Sequence, residues 1–139
     1  MLYGTGCDLC SIERMAKSLS GAHAQAFINR VFGNAEIKAL RFCDASAIDT
    51  HSRARAHSIA SAAANFAAKE AFLKAAGTGL TAPFSLCEIE AVRLPSGKPE
   101  YSFSGKTAQW VQEHNVKAHL SLSHDGGMAM AFCILEVID

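Results

Sequence analysis

Residues 49–77 read DTHSRARAHSIASAAANFAAKEAFLKAAG. The run is rich in Ala, contains no Pro and no Gly before its last residue, and stops at Gly77, where a left-handed C-terminal cap is expected. These features predict one long helix over 49–76. Residues three and four apart share a helix face, so Phe66, Glu70, Leu73 and Gly77 form one stripe. Glu70 is then a carboxylate on a largely apolar surface, where charged groups need an ion-pair partner or a metal. Lys74, one turn on, offers an i,i+4 ion pair.

Upstream, residues 1–7 are small and apolar with Gly4 and Gly6, and end at Asp8. They predict a short strand leading into a helix near 11–19, with Asp8 at the strand end as a turn or capping residue. Residues 22–42 predict short helices, with Asn34 as an N-cap and Glu36 in the following first turn. After Pro83 the pattern changes. Residues 87–94 alternate with period two, and Pro95-Ser96-Gly97-Lys98-Pro99 is a turn into a second strand over 101–103. A helix near 104–114 precedes two strands, 118–123 and 128–137, joined through His124-Asp125-Gly126-Gly127. The class is α+β: an antiparallel sheet packed on one long helix plus short helices.

The 139 residues, half of them hydrophobic, suit a single domain over 1–139 with a buried core. No leader peptide or membrane span is expected, and five cysteines are an odd number for a disulfide framework, so a cytoplasmic protein with reduced thiols is expected. Thirteen basic and thirteen acidic side chains cancel, which argues against a nucleic-acid binder. The balance conceals an asymmetry. Residues 1–80 hold nine Lys and Arg against six carboxylates, so an anionic ligand or an acidic partner is drawn to the first half.

Four motifs now carry a resemblance. Gly4-Thr5-Gly6-Cys7-Asp8 running into Ile12-Glu13-Arg14 resembles the opening G-x-G-x-D…I-x-R of the holo-acyl-carrier-protein synthases, the 4′-phosphopantetheinyl transferases of that type. The stretch from Phe66 to Gly79 resembles that family's F-A-A-K-E-A-x-x-K-A-x-G-T-G signature. Gly97-Lys98-Pro99 matches its G-K-P turn, and Leu120-Ser121-Leu122-Ser123-His124 resembles its closing V-S-I-S-H strand. In order, the motifs span nearly the whole chain.

The resemblance implies a phosphopantetheinyl transferase-like fold, trimeric with coenzyme A sites between subunits. It also implies transfer of 4′-phosphopantetheine from coenzyme A to a serine of apo acyl carrier protein, as in fatty acid biosynthesis. Asp8 and Glu70 would be the carboxylates that hold Mg²⁺, with Mn²⁺ an alternative, because such ions take one or two carboxylates together with substrate phosphates and waters. Lys74 would face a coenzyme A phosphate, and Gly77-Thr78-Gly79 would let backbone approach the ligand. Pro99, Ser123 and His124 would contact coenzyme A. Asp8 is the first candidate for the base that takes the serine proton and His124 the second. Arg14 is the first candidate for docking the acidic carrier protein, with Arg30 and Lys17 behind it. One position departs from the family: Asn65 stands where Arg is usual, and Arg53 or Arg55 is the expected substitute.

Other classes are weaker. Cys7-Asp8-Leu9-Cys10 at a strand-to-helix junction has the spacing of a redox pair, but the rest of the chain is not βαβ and no second C-x-x-C makes a zinc site. Gly105-Lys106-Thr107 fails as a P-loop because Glu100 stands where its first Gly is required. Ser123-His124 lacks a G-x-S-x-G elbow. A carrier-binding homologue without activity is the remaining alternative, and the intact Asp8, Glu70 and Lys74 argue against it.

Overall fold

The computed structural model describes residues 1–41 and 53–139. In chain order the elements are β1 (Leu2–Ser11), α1 (Ile12–Ser18), α2 (Ala24–Val31), α3 (Asn34–Leu40), α4 (Arg53–Ala76), a 3₁₀ turn (Leu86–Glu88), β2 (Ile89–Arg93), β3 (Pro99–Phe103), α5 (Gly105–Glu113), β4 (Val116–Asp125) and β5 (Met128–Val137). The long helix is present and ends at Gly77, whose φ of 83° is the left-handed cap its position requires. Residues 49–52 and 42, which the predicted helices include, lie outside the described residues. None of the described helices is long and apolar enough to cross a membrane.

The strands form two antiparallel sheets rather than one: a three-stranded sheet in the order β1-β5-β4 and the hairpin β2-β3. Helix α4 is the common layer between them. Ala62, Ala63, Ala67, Ala68 and Ala71 are fully buried on it, as are Phe72 and Leu73, so from Ala62 to Ala76 it is enclosed on nearly every side rather than amphipathic, while none of residues 53–61 is buried. Toward β1 the contact is backbone to backbone. A Cβ on Gly4 would overlap the Ala75 carbonyl, and one on Gly6 would overlap the Ala71 carbonyl and lie 2.7 Å from the Ala75 nitrogen. Toward the hairpin the core is aromatic: the Phe72 ring lies 4.9 Å from Phe103 and 5.6 Å from Phe84, and the Tyr101 hydroxyl donates to the Ala68 carbonyl at 2.6 Å.

Several boundaries differ from expectation. Asp8 lies inside β1, three residues before its end, and Ser11 is the cap that accepts the Arg14 N–H at 3.2 Å. Asn34 is the first residue within α3; Gly33 precedes it and donates its N–H to Glu36 Oε1 at 3.1 Å. Strand β2 begins at Ile89 because Leu86–Glu88 coil into the 3₁₀ turn, where Glu88 Oε1 accepts the Thr107 N–H and hydroxyl at 3.2 and 3.0 Å and so caps α5. The final hairpin is tighter than expected: β4 runs through Asp125, leaving Gly126 and Gly127, with φ of 57° and 77°, as a two-residue turn.

The β1–α4 contact sets a stability test. Gly6→Ala places a methyl against helix backbone that cannot yield, and a loss of about 1–3 kcal/mol is expected. Urea unfolding at fixed protein concentration checks it; an unchanged midpoint would show that the strand and helix can separate at little cost.

Candidate active site

Side chains alternate along β1, so Gly4, Gly6 and Asp8 face α4 together. Asp8 is the first residue of that row to carry a side chain, and it meets the helix where Glu70 and Lys74 emerge. Lys74 Nζ donates to Asp8 Oδ1 at 3.0 Å and to the Cys7 carbonyl at 2.9 Å. The i,i+4 pair expected between Glu70 and Lys74 therefore gives way to a pair across 66 positions of sequence. Lys74 takes Asp8 because strand and helix bring the two face to face. Burial holds the Glu70 carboxyl above its ordinary pKa, the Asp8 charge adds to that, and Lys74 opposes both. The hydrogen bond to Asp8 raises the Lys74 ammonium in turn. Two carboxylates thus share one cation.

The donor set fits a hard divalent ion that completes its shell with substrate oxygen and water. Among the described residues no group of three or more His, Cys, Asp and Glu could hold a metal by itself, so Asp8 and Glu70 are the two carboxylates they bring together here. Gly77, Thr78 and Gly79 follow one turn beyond Lys74. Gly77 and Gly79 have φ of 83° and 64° with open space where a Cβ would stand, and Thr78 is exposed.

Pro99, Ser123 and His124 lie elsewhere, in a cleft of about 580 Å³ that they share with His57, Ser61, Asn65 and Arg93. Asp8, Glu70 and Lys74 do not line it. The reason is helical geometry: Asn65 and Glu70 are five residues apart on α4, which turns them about 140° from one another around the axis. One chain therefore carries its predicted site residues in two clusters on different flanks of one helix. Arg14 and Arg30 are exposed on α1 and α2, and Lys17 makes an exposed i,i+4 pair with Glu13 at 3.7 Å.

Between the flanks lies a group the sequence reading passed over. Lys69 is fully buried and Glu36 is 1% exposed, their side chains 2.5 Å apart. Lys69 Nζ also donates to the carbonyls of Leu86, at 3.1 Å, and Ile89, at 2.5 Å. Glu36 Oε2 accepts from Asn65 Nδ2 at 2.9 Å and from the Ala91 N–H at 3.2 Å, and Asn65 gives its second hydrogen to the Ala91 carbonyl at 3.1 Å. Burial pushes the Glu36 carboxyl up and the Lys69 ammonium down, each opposed by the other. The available signal was a Lys set among Ala67, Ala68, Ala71 and Phe72.

The redox pair fails on geometry. Cys7 and Cys10 are three apart on a strand, so they face opposite sides with Cα atoms ~10 Å apart, beyond disulfide reach. Burial also raises the Cys10 thiol pKa.

The fold and both clusters define an enzyme class, and comparison with known proteins names it. The model of the 4′-phosphopantetheinyl transferase superfamily matches residues 4–133. The holo-[acyl-carrier-protein] synthase of Methylobacterium radiotolerans is 40% identical over 143 residues, covering 99% of this chain and 96% of the relative. Among solved structures, the Neisseria meningitidis holo-[acyl-carrier-protein] synthase superposes with a TM-score of 0.79 at 28% identity, covering 98% and 99% of the two chains. The Bacillus anthracis holo-(acyl-carrier-protein) synthase in complex with CoA (3′,5′-ADP) gives 0.75 at 28% identity, covering 99% of both. The chain belongs to the holo-acyl-carrier-protein synthase family of this superfamily.

The proximity of Asp8 to Glu70 is testable without a substrate. Asp8→Asn removes a neighbouring negative charge and frees Lys74, and both changes favour ionised Glu70, so the Glu70 pKa falls. Carbon-detected NMR titration of the Glu70 carboxyl reads this; a pKa that stays put or rises would mean the two carboxylates do not face one another.

Proposed function

We propose that Asp8 and Glu70 hold the divalent cation, Mg²⁺ or in its place Mn²⁺, with which this enzyme transfers 4′-phosphopantetheine from coenzyme A to a serine hydroxyl of apo acyl carrier protein. The observation that carries the assignment is the convergence of Asp8, Glu70 and Lys74 beside the glycine-rich end of α4. The serine Oγ forms a bond to the phosphorus bearing pantetheine, the bond to the other phosphate breaks, and adenosine 3′,5′-bisphosphate leaves. When bound, the cation supplies charge neutralisation on the pyrophosphate. Lys74 turns from Asp8 toward a coenzyme A phosphate, which frees Asp8 both as ligand and as the base that accepts the serine proton. Arg14 and Arg30 offer the acidic carrier protein a basic approach. The protein acts as one domain in the cytoplasm, in fatty acid biosynthesis.

The site is formed between subunits of a homotrimer, the chemical cluster of one chain facing the cleft of its neighbour. Two observations support this. The clusters lie on different flanks of α4, so a ligand touching both within one chain would have to pass around the helix. The outer face of the three-stranded sheet also leaves Leu9, Met130 and Phe132 at 62%, 43% and 40% exposure, apolar surface available to a second copy. Light scattering after size exclusion should give three times the chain mass; a monomer at assay concentration refutes the shared site.

Transfer is read by mass spectrometry as gain of phosphopantetheine on apo acyl carrier protein with coenzyme A and Mg²⁺. Asp8→Ala and Glu70→Ala should each lower the rate by on the order of 100-fold or more with the fold intact, since each removes several kcal/mol of charge stabilisation. Undiminished transfer by either variant removes that residue from the metal site, and no transfer by wild type with a competent carrier leaves only a binding protein.

A further inference from the structure

Asn65 stands where the family resemblance implies an Arg, and it replaces neither the charge nor the reach of one. Both amide hydrogens are committed inward, to Glu36 Oε2 at 2.9 Å and to the Ala91 carbonyl at 3.1 Å, so the side chain has no donor left for the cleft. The substitutes expected from sequence, Arg53 and Arg55, lie 12 and 10 residues earlier on α4, or ~18 and ~15 Å along its axis, and neither lines the cleft. Arg93 does, from the end of β2.

Among the described residues Arg93 is the one Lys or Arg lining this cleft, and no carboxylate lines it. His57 and Ser61 from α4 and Ser123 and His124 from β4 surround the same space. Among the described residues the carboxylate whose charge reaches Arg93 is Glu36, which is already held by Lys69 and Asn65. The residue keeps exposed surface, while the atoms packed around its guanidinium lower its pKa. A guanidinium at the wall of this cleft, with no carboxylate of a described residue bound to it, suits a phosphate, which its planar fork meets with two parallel hydrogen bonds.

We propose that Arg93 is the phosphate-binding residue of this cleft and supplies from β2 the cationic contact to coenzyme A that Asn65 cannot supply from α4. This rests on the reading of the cleft as part of the coenzyme A site. It assigns to this chain a relocated contact: the cation is carried by the hairpin opposite α4, while position 65 serves the buried network.

Calorimetric binding of coenzyme A and, separately, of adenosine 3′,5′-bisphosphate to the full chain tests it, with folding of each variant checked by circular dichroism. Arg93→Gln should weaken both ligands about 10- to 100-fold, the loss of a charged hydrogen-bonded contact, and Arg93→Lys should recover part of the loss. Unchanged affinity in Arg93→Gln overturns the proposal, as does a loss carried by Arg53→Gln or Arg55→Gln instead. Binding is measured without carrier protein or turnover, so absence of transfer in wild type leaves this outcome readable. Failure of wild type to bind coenzyme A at all removes the cleft assignment and the proposal with it.

Discussion

The backbone of β1 lies directly against the backbone of α4, with no side chain between them at Gly4 or Gly6. That approach places the carbonyl row of the helix against the strand, so the next inward position, Asp8, arrives level with Lys74. It also explains the composition of the helix. A helix this close to a strand on one side and to an aromatic hairpin core on another has room for little more than Ala on most of its faces, and Ala62, Ala63, Ala67, Ala68 and Ala71 are all fully buried. From Ala62 to Ala76 the helix has no broad solvent face on which to park charges, so Lys69, Glu70 and Lys74 each need their own solution. Glu70 and Lys74 find theirs at the rim beside Asp8, and Lys69 finds its own in the interior.

The interior solution is costly to assemble and complete once made. Burying an ammonium and a carboxylate carries a desolvation penalty that their attraction offsets only when every remaining donor and acceptor is also matched. Lys69 meets that condition with three acceptors, and Glu36 with four donors from Gly33, Lys69, Asn65 and Ala91. Those partners belong to α3, α4, the 3₁₀ turn and β2, so one ion pair fixes four segments around the wall of the cleft. Asn65 is the member that faces both ways, and its amide is spent on the network.

Sequence reading recovered the elements whose cause is local. The long helix follows from a run of Ala ended by Gly77, and the last hairpin from paired glycines between apolar strands. The motif around Asp8 and Glu70 picked out two carboxylates that the fold does bring together. What it missed depends on distance along the chain. The i,i+4 rule offered Lys74 to Glu70, but the fold presents Asp8 from 66 positions away, and a local rule has no access to that competitor. Glu36 looked like an ordinary first-turn carboxylate because Lys69, 33 positions on, cannot be seen from α3. Cys7 and Cys10 suggested a pair only while the strand was taken to end at Asp8, between them; three more residues of β1 turn their side chains apart. The split of the site over two flanks of α4 was likewise hidden, since motifs give order along the chain and not angle around a helix.

That split has an electrostatic logic. The cluster of Asp8, Glu70 and Lys74 carries two potential negative charges against one positive; burial raises the Glu70 pKa and the Asp8 charge adds to it. A polyanion such as coenzyme A is repelled from this cluster until a further cation balances it. The cleft holds the opposite arrangement, a guanidinium and two imidazoles with no carboxylate among its described lining residues. On the proposed assignment, affinity for the anionic ligand resides in the cleft, while the cluster keeps its carboxylates for the cation and the proton. With both clusters on one flank, Arg93 and Lys74 would compete for the same two carboxylates. The body of α4 between them keeps the charges of the cleft and of the cluster from neutralising one another, and in the proposed trimer a second chain would bring the two halves to one substrate.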